Sequence, residues 1–301
     1  MKHNHHHSHT TREDTATGNI KFAFILNLLF ATIELVGGLL TGSVAIVADA
    51  IHDFGDSLTL GLAIVLEKLS NKERTAYYTY GYRRLSLLAA LISGGVLCVG
   101  SGVILFKAIN QLIEGGNTPN GPLMMALAIF GVIINGAAAL RLRKGKSRNE
   151  NTLSWHLIED VLGWVAVFIG AIIITITSWT WVDPLLACLV AIFILFNVIK
   201  SLWGTIEVFL QRAPKDFNES EFLIQASRLK NVSEIHDLHV WSLDGERHIM
   251  SLHAVVHETF DFKTEFYELQ ASLRRLLPTT GQYHLTVQTE LRQEQPEQDK
   301  C

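Results

Sequence analysis

Six stretches of about twenty mostly apolar residues, near Asn19 to Leu40, Ser43 to Leu66, Leu85 to Ile113, Pro122 to Leu142, Leu153 to Ser178 and Asp183 to Trp203, restrict this chain more than any other feature. Each is long enough to cross the roughly 30 Å hydrocarbon core of a bilayer as a helix. In hydrocarbon only helices and closed barrels satisfy their own backbone hydrogen bonds, and twenty-residue apolar runs select the helix. With 49% apolar and 18% charged residues over 301 positions, the composition excludes an ordinary soluble domain. The first stretch lacks the short apolar core and small-residue cleavage pattern of a signal peptide, so it reads as a retained helix. The basic residues fall on alternate connectors. Lys68, Lys72, Arg74, Arg83 and Arg84 follow the second stretch, and Arg141, Arg143, Lys144, Lys146 and Arg148 follow the fourth. The other three connectors carry neither Lys nor Arg, which by the positive-inside rule predicts cytoplasmic N- and C-termini.

Two of the apolar stretches carry a His-x-x-x-Asp motif, His52 with Asp56 and His156 with Asp160. The i to i+4 spacing puts both side chains of each motif on one helix face. Two such helices side by side present two imidazoles and two carboxylates to one point, a donor set suited to tetrahedral divalent metal, zinc above all. An Asp at the centre of a membrane helix costs about 2.5 to 3.5 kcal/mol, so such groups are expected to have a task. Asp49, one turn before His52 on the same face, is a candidate to support or feed the site, or simply a polar residue facing water. Asp53 and Glu159 adjoin the site and are read as structural or pathway residues. Glu34 and Asn135 are isolated polar residues at membrane depth that either line a path or bond neighbouring helices.

After Pro214 the pattern changes. Residues 216–230 and 263–277 have helical periodicity, and residues 232–243, 247–257 and 282–291 read as strands. The order α-β-β-α-β predicts a small α+β domain of ferredoxin-like type over residues 214–292. The predicted organisation is a disordered His-rich leader over residues 1–18, with an expression tag as the rival reading, then a transmembrane domain over 19–206, the small domain, and a disordered acidic tail over 293–301. Cys98, Cys188 and Cys301 have no disulfide or metal spacing. The net charge of -4 gives no reason to expect nucleic acid.

The stretch Val47 to Asp56, the loop Tyr80-Gly81-Tyr82-Arg83-Arg84, the segment Trp155 to Asp160 and the run His236 to Trp241 resemble the cation diffusion facilitator family, and within it the bacterial zinc-efflux branch. The resemblance implies a homodimer in the bacterial inner membrane that exports divalent metal in exchange for protons. It implies a transport site of His52, Asp56, His156 and Asp160. It also implies a regulatory metal site at His236, His253 and Glu290 in the cytoplasmic domain, against the plainer reading of half-buried strand histidines. Some relatives carry a further Asp and His site after the second span, but residues 68–84 hold neither type, so none is expected there. Ser86 stands where other members often have Glu.

Zinc, with cadmium next, is the expected cargo, and protons the counter-ion. Imidazole ordinarily titrates near pH 6.5, so protons compete with metal for these ligands. The rival classes are a membrane-bound zinc sensor and an intramembrane metalloenzyme. Against the enzyme, four candidate ligands leave no open position for water, and the zincin motif His-Glu-x-x-His is absent.

Overall fold

The computed structural model describes residues 10–70, 72, 74–116, 118–142, 148–230 and 232–291, with side chains except at 10–23, 63, 64, 67, 68, 70, 141, 142 and 148–156. The His cluster between His3 and His9, the tail after Arg292 with Cys301, and the side chain of His156 lie outside the described set.

Six long helices come first: α1 (Thr10–Thr41), α2 (Val44–Ser70), α3 (Leu85–Glu114), α4 (Gly121–Leu142), α5 (Arg148–Thr177) and α6 (Val182–Phe209). Among the described residues, five of them hold segments long and apolar enough to cross a membrane, at Phe24–Thr41, Leu85–Glu114, Gly121–Leu140, Leu157–Thr177 and Val182–Phe209. The sequence predicts six. The helix that differs is α2, whose apolar run is interrupted by Asp49, Asp53 and Asp56. A second difference lies at the start. The leader expected to be disordered through residue 18 is helical from Thr10, because a backbone helix can run past the apolar segment that hydropathy detects.

The helices expose apolar side chains all round. Leu40, Val99, Phe106, Ile133, Ile176 and Phe196 are each more than half exposed, an arrangement that fits a lipid solvent and not water. Their inner faces form three clusters, one of them Leu97 of α3 with Ile194 and Val198 of α6. Phe30, Met124, Ala128, Trp164 and Val167 join α1, α4 and α5, while Ile104, Ala108, Ala187 and Ala191 join α3 and α6. Residues of α2 enter the latter two, Ile46 the former of them and Val44, Ala45 and Ala48 the latter, so the N-terminal half of α2 packs with residues of all five other helices. Small residues allow this closeness. A Cβ at Gly131 would sit 2.3 Å from the Trp164 ring, so α4 and α5 need glycine there.

Asp183 fastens the bundle. It is fully buried in the first turn of α6, yet it accepts from Ser43 Oγ, from Val44 N at 2.7 Å and from Ala45 N at 3.4 Å. Ser43 Oγ in turn accepts from Ile46 N at 3.1 Å. A carboxylate from one helix thus caps the N-terminus of another, satisfying amides that would otherwise lack partners and facing the positive end of the α2 dipole.

The second unit comprises Leu69–Leu88 and everything from Trp203 onward, so the α2–α3 connector groups with the small domain. There α7 (Glu219–Ala226), β1 (Val232–Ser242), β2 (Arg247–Val256), α8 (Glu265–Arg275) and β3 (Gln282–Leu291) follow in that order. The sheet order is β1-β2-β3, with β1 antiparallel and β3 parallel to β2. Met250, Leu252, Ala254, Val256, Leu285 and Val287 of the sheet pack with Phe222 of α7 and Leu269 and Leu273 of α8. Asn218 caps α7 by accepting from Glu221 N, which fixes its start at Glu219, three residues after Asp216.

Candidate metal sites

In α2, His52 Nε2 lies 3.9 Å from Asp56 Oδ2, both side chains half-buried. Helical geometry alone accounts for this pairing. The neighbouring residues add charge. Asp53 is buried and interacts electrostatically with Asp49, Asp56 and Asp160 of α5. Glu34 of α1 is also buried and feels the charges of Asp53, Asp49 and Asp160. Asn27 of α1 holds the same stretch of α2, donating to Asp53 O at 3.0 Å and to Ser57 Oγ at 3.1 Å. Six ionisable groups from three helices therefore share one region inside the bundle: Glu34, Asp49, His52, Asp53, Asp56 and Asp160. Such a carboxylate cluster needs cations, bound metal or protons, to be stable away from water.

Of the residues singled out in the sequence, His52 and Asp56 are adjacent and Asp49 and Asp160 fall in the same cluster, while the side chain of His156 is outside the described set. Glu159 is exposed on α5. The sequence undervalues Glu34 and Asp53. Their lone carboxylates gain meaning only once α1 and α2 are packed together.

The small domain builds a second cluster on strands. His236 and His253 are direct partners in the β1/β2 ladder, their ring centroids 5.1 Å apart. Glu290 of β3 is buried beside both, with Oε2 3.3 Å from His236 Nε2 and Oε1 2.8 Å from His253 Nδ1. Tetrahedral zinc with bonds near 2.1 Å sets its donors about 3.4 Å apart, so this trio already stands close to a coordinating arrangement. Gln288 Nε2 donates to Glu290 Oε1 at 2.8 Å and orients it. Asp237, with a left-handed φ of 49°, sits at a break in the β1 register between His236 and His239, and its carboxylate lies 3.5 Å from His253 Nε2 and 2.9 Å from His239 Nε2. No periodicity in the sequence signals that break.

His248 plays a different part. It is buried, its Nδ1 lies 3.2 Å from Ser242 Oγ, and its ring packs on Tyr283 at 4.8 Å. Burial lowers its pKa, and burial with nearby Asp216 pushes the Tyr283 hydroxyl up to about 12. These are packing residues with no metal-ligand arrangement.

Residues 20–210 match the cation efflux transmembrane domain. The chain is 32% identical over 298 residues to the zinc transporter ZitB of Escherichia coli, an alignment covering 95% of this chain and 92% of the relative. It is 30% identical over 299 residues to the cadmium, cobalt and zinc/H(+)-K(+) antiporter of Bacillus subtilis, covering 96% and 92%. It is 30% identical over 290 residues to the metal cation efflux system protein CzcD of Cupriavidus metallidurans, covering 95% and 90%. A match over nearly two thirds of the chain to the family's membrane domain, joined to relatives aligned almost end to end, means that the chain belongs to the cation efflux family, the cation diffusion facilitators, and is a transporter and not an enzyme.

Proposed function

We propose that the chain exports zinc, with cadmium as a second cargo, from the bacterial cytoplasm across the inner membrane in exchange for protons. One observation carries this reading: Asp160 of α5 lies within electrostatic range of Asp53, next to the His52–Asp56 pair of α2, so the two motif-bearing helices approach each other at the level of their ligands. The activities for which the relatives are named, a zinc transporter and a cadmium, cobalt and zinc antiporter, agree with it. His52, Asp56, His156 and Asp160 hold the cargo, with Asp49 beside them. The mixed imidazole and carboxylate set favours zinc over manganese.

Zinc takes neutral imidazole and ionised carboxylate, so metal and protons exclude one another at this site. Export of Zn²⁺ against 100 mV, negative inside, costs about 4.6 kcal/mol, and each returning proton offsets about 2.3. All six helices span the bilayer, and α2 does so with its N-terminal half packed against the other five. Both termini are cytoplasmic. Helices α2 and α5 move against the rest to expose the site alternately to each side. The ferredoxin-like domain holds a homodimer, and metal at His236, His253 and Glu290 biases the inward-facing state.

The test is zinc uptake into proteoliposomes holding a zinc-sensitive dye under an imposed pH gradient, with the wild type and Asp160→Ala compared. Uptake that follows the gradient and vanishes in the variant supports the reading. Tight zinc binding without movement would instead indicate a sensor, and wild-type uptake by Asp160→Ala would refute the site. Dependence on a potassium gradient alone would replace protons as the counter-ion.

A further inference from the structure

The α2–α3 connector is folded against the small domain. Thr75 N donates to Tyr78 O at 3.1 Å and Gly81 N to the same oxygen at 2.9 Å, with Gly81 at φ 75°. The Tyr78 and Tyr82 rings lie 4.6 Å apart, Tyr80 meets His284 edge-on at 6.4 Å, and Arg83 Nη1 lies 3.9 Å from Asp244 Oδ2. This ordered loop walls a cavity of about 500 Å³.

Three features of the cavity point to one kind of ligand. The first is position. Leu85 begins one membrane-crossing segment and Phe209 ends another, and both line the cavity, which therefore lies at headgroup depth. The second is charge. Arg83 and Arg84 line it, and no Asp or Glu does, whereas the neighbouring cleft sets Arg212 and Arg247 against Glu207 and Asp216. The third is an unmet donor. Arg84 Nε is enclosed and has no hydrogen-bond acceptor among the described residues. A guanidinium N–H withdrawn from water without an acceptor is costly, and a bidentate phosphate is its best partner. The first amides of α3 do not compete for that partner, since Leu85 N donates to Tyr82 O and Ser86 N to Arg83 O.

We propose that this cavity binds the headgroup phosphate of an anionic phospholipid from the adjoining leaflet. Arg84 holds the phosphate, Arg83 adds charge while keeping its contact to Asp244, and Leu85, Leu88 and Phe209 meet the upper acyl chain. The positive lining disfavours a choline headgroup, so phosphatidylglycerol is the better ligand. A bound lipid would tie the connector to the small domain, independently of any metal.

The experiment uses full-length protein in nanodiscs of phosphatidylcholine with or without phosphatidylglycerol, released for native mass spectrometry. The wild type is expected to retain phosphatidylglycerol, Arg84→Gln to retain about tenfold less, as for loss of a charge-assisted hydrogen bond, and Arg247→Gln in the neighbouring cleft to match the wild type. Equal retention by Arg84→Gln, or equal retention of both lipids by the wild type, overturns the proposal. Thermal stabilisation of the wild type in pure phosphatidylcholine by glycerol phosphate, as large as that by phosphatidylglycerol, assigns the cavity to a soluble phosphate and overturns the lipid. Should Arg84→Gln fail to fold, brominated lipids decide the matter on native side chains. The Trp241-dependent fluorescence, taken as the difference from Trp241→Phe, should be quenched more by brominated phosphatidylglycerol than by brominated phosphatidylcholine, and equal quenching counts against the site.

Discussion

In the bundle, His52 and Asp56 stand 3.9 Å apart among four further carboxylic groups, whereas in the small domain Glu290 contacts two imidazoles at 2.8 and 3.3 Å. Both clusters use the same donor types, but their scaffolds differ. On the sheet, the ladder pairs His236 with His253 directly, and a third strand supplies Glu290, so all three candidate ligands are fixed by backbone register. In the helices the proposed ligands come from separate elements with no shared backbone hydrogen bonds. A carrier must let go of its cargo, and ligands on independently movable helices allow that. Ligands on one sheet hold metal with little rearrangement and suit a structural or sensing role.

That contrast can be broken by mutation. Asp56→Ala is expected to lower proton-driven zinc uptake at least about 100-fold, as for loss of a direct ligand, while His253→Ala keeps uptake at saturating zinc within about threefold. Equal loss in both, measured in the same proteoliposomes, would erase the distinction. In an Asp56→Ala background, Glu290→Gln should weaken the remaining zinc binding about 10- to 100-fold by calorimetry, and an unchanged affinity would remove Glu290 from the small-domain site. Asp183→Ala should cost about 2 kcal/mol, seen as a lower melting temperature in detergent, yet leave uptake per folded molecule intact, because this buried carboxylate caps α2 and binds no cargo.

The smallest effect concerns pH. Burial depresses the pKa of His248 below 6.5, so the folded domain binds fewer protons than the unfolded one. Its contribution is present above pH 6.5 and is lost as the pH falls through the folded value. The melting temperature of the small domain should therefore decline below pH 6.5 in the wild type and less so in His248→Phe. An identical pH profile would mean that other groups control this end of the sheet.

Features set by local spacing were legible in the sequence. The i to i+4 motif brought His52 to Asp56, and alternation delimited the strand Gln282–Leu291 at its observed ends. Features that depend on distant partners were not. The sixth apolar stretch opens on Asp183, but nothing in the sequence marks it as a cap, because the amides it accepts from, Val44 N and Ala45 N, lie about 140 positions away in the chain. Glu34, read as lining a path or bonding a neighbouring helix, and Asp53, read as structural or pathway, could not be assigned to one cluster for the same reason. The polar content of α2 was visible, but the residues of the other five helices that cluster with its N-terminal half meet it only after packing.

The parallel pairing of β2 with β3 also bears on biosynthesis. Residues of β2 leave the ribosome well before those of β3, with α8 and its loops in between. At about 5 to 20 residues per second the interval lasts on the order of 1 to 5 s. During it the apolar strand carrying Met250, Leu252 and Val256 has one edge unpaired, the condition most prone to wrong strand pairing. The nascent small domain is therefore expected to depend on chaperones during that interval, and Glu290, riding on the strand that closes the sheet, becomes available as a ligand only when the hazard ends.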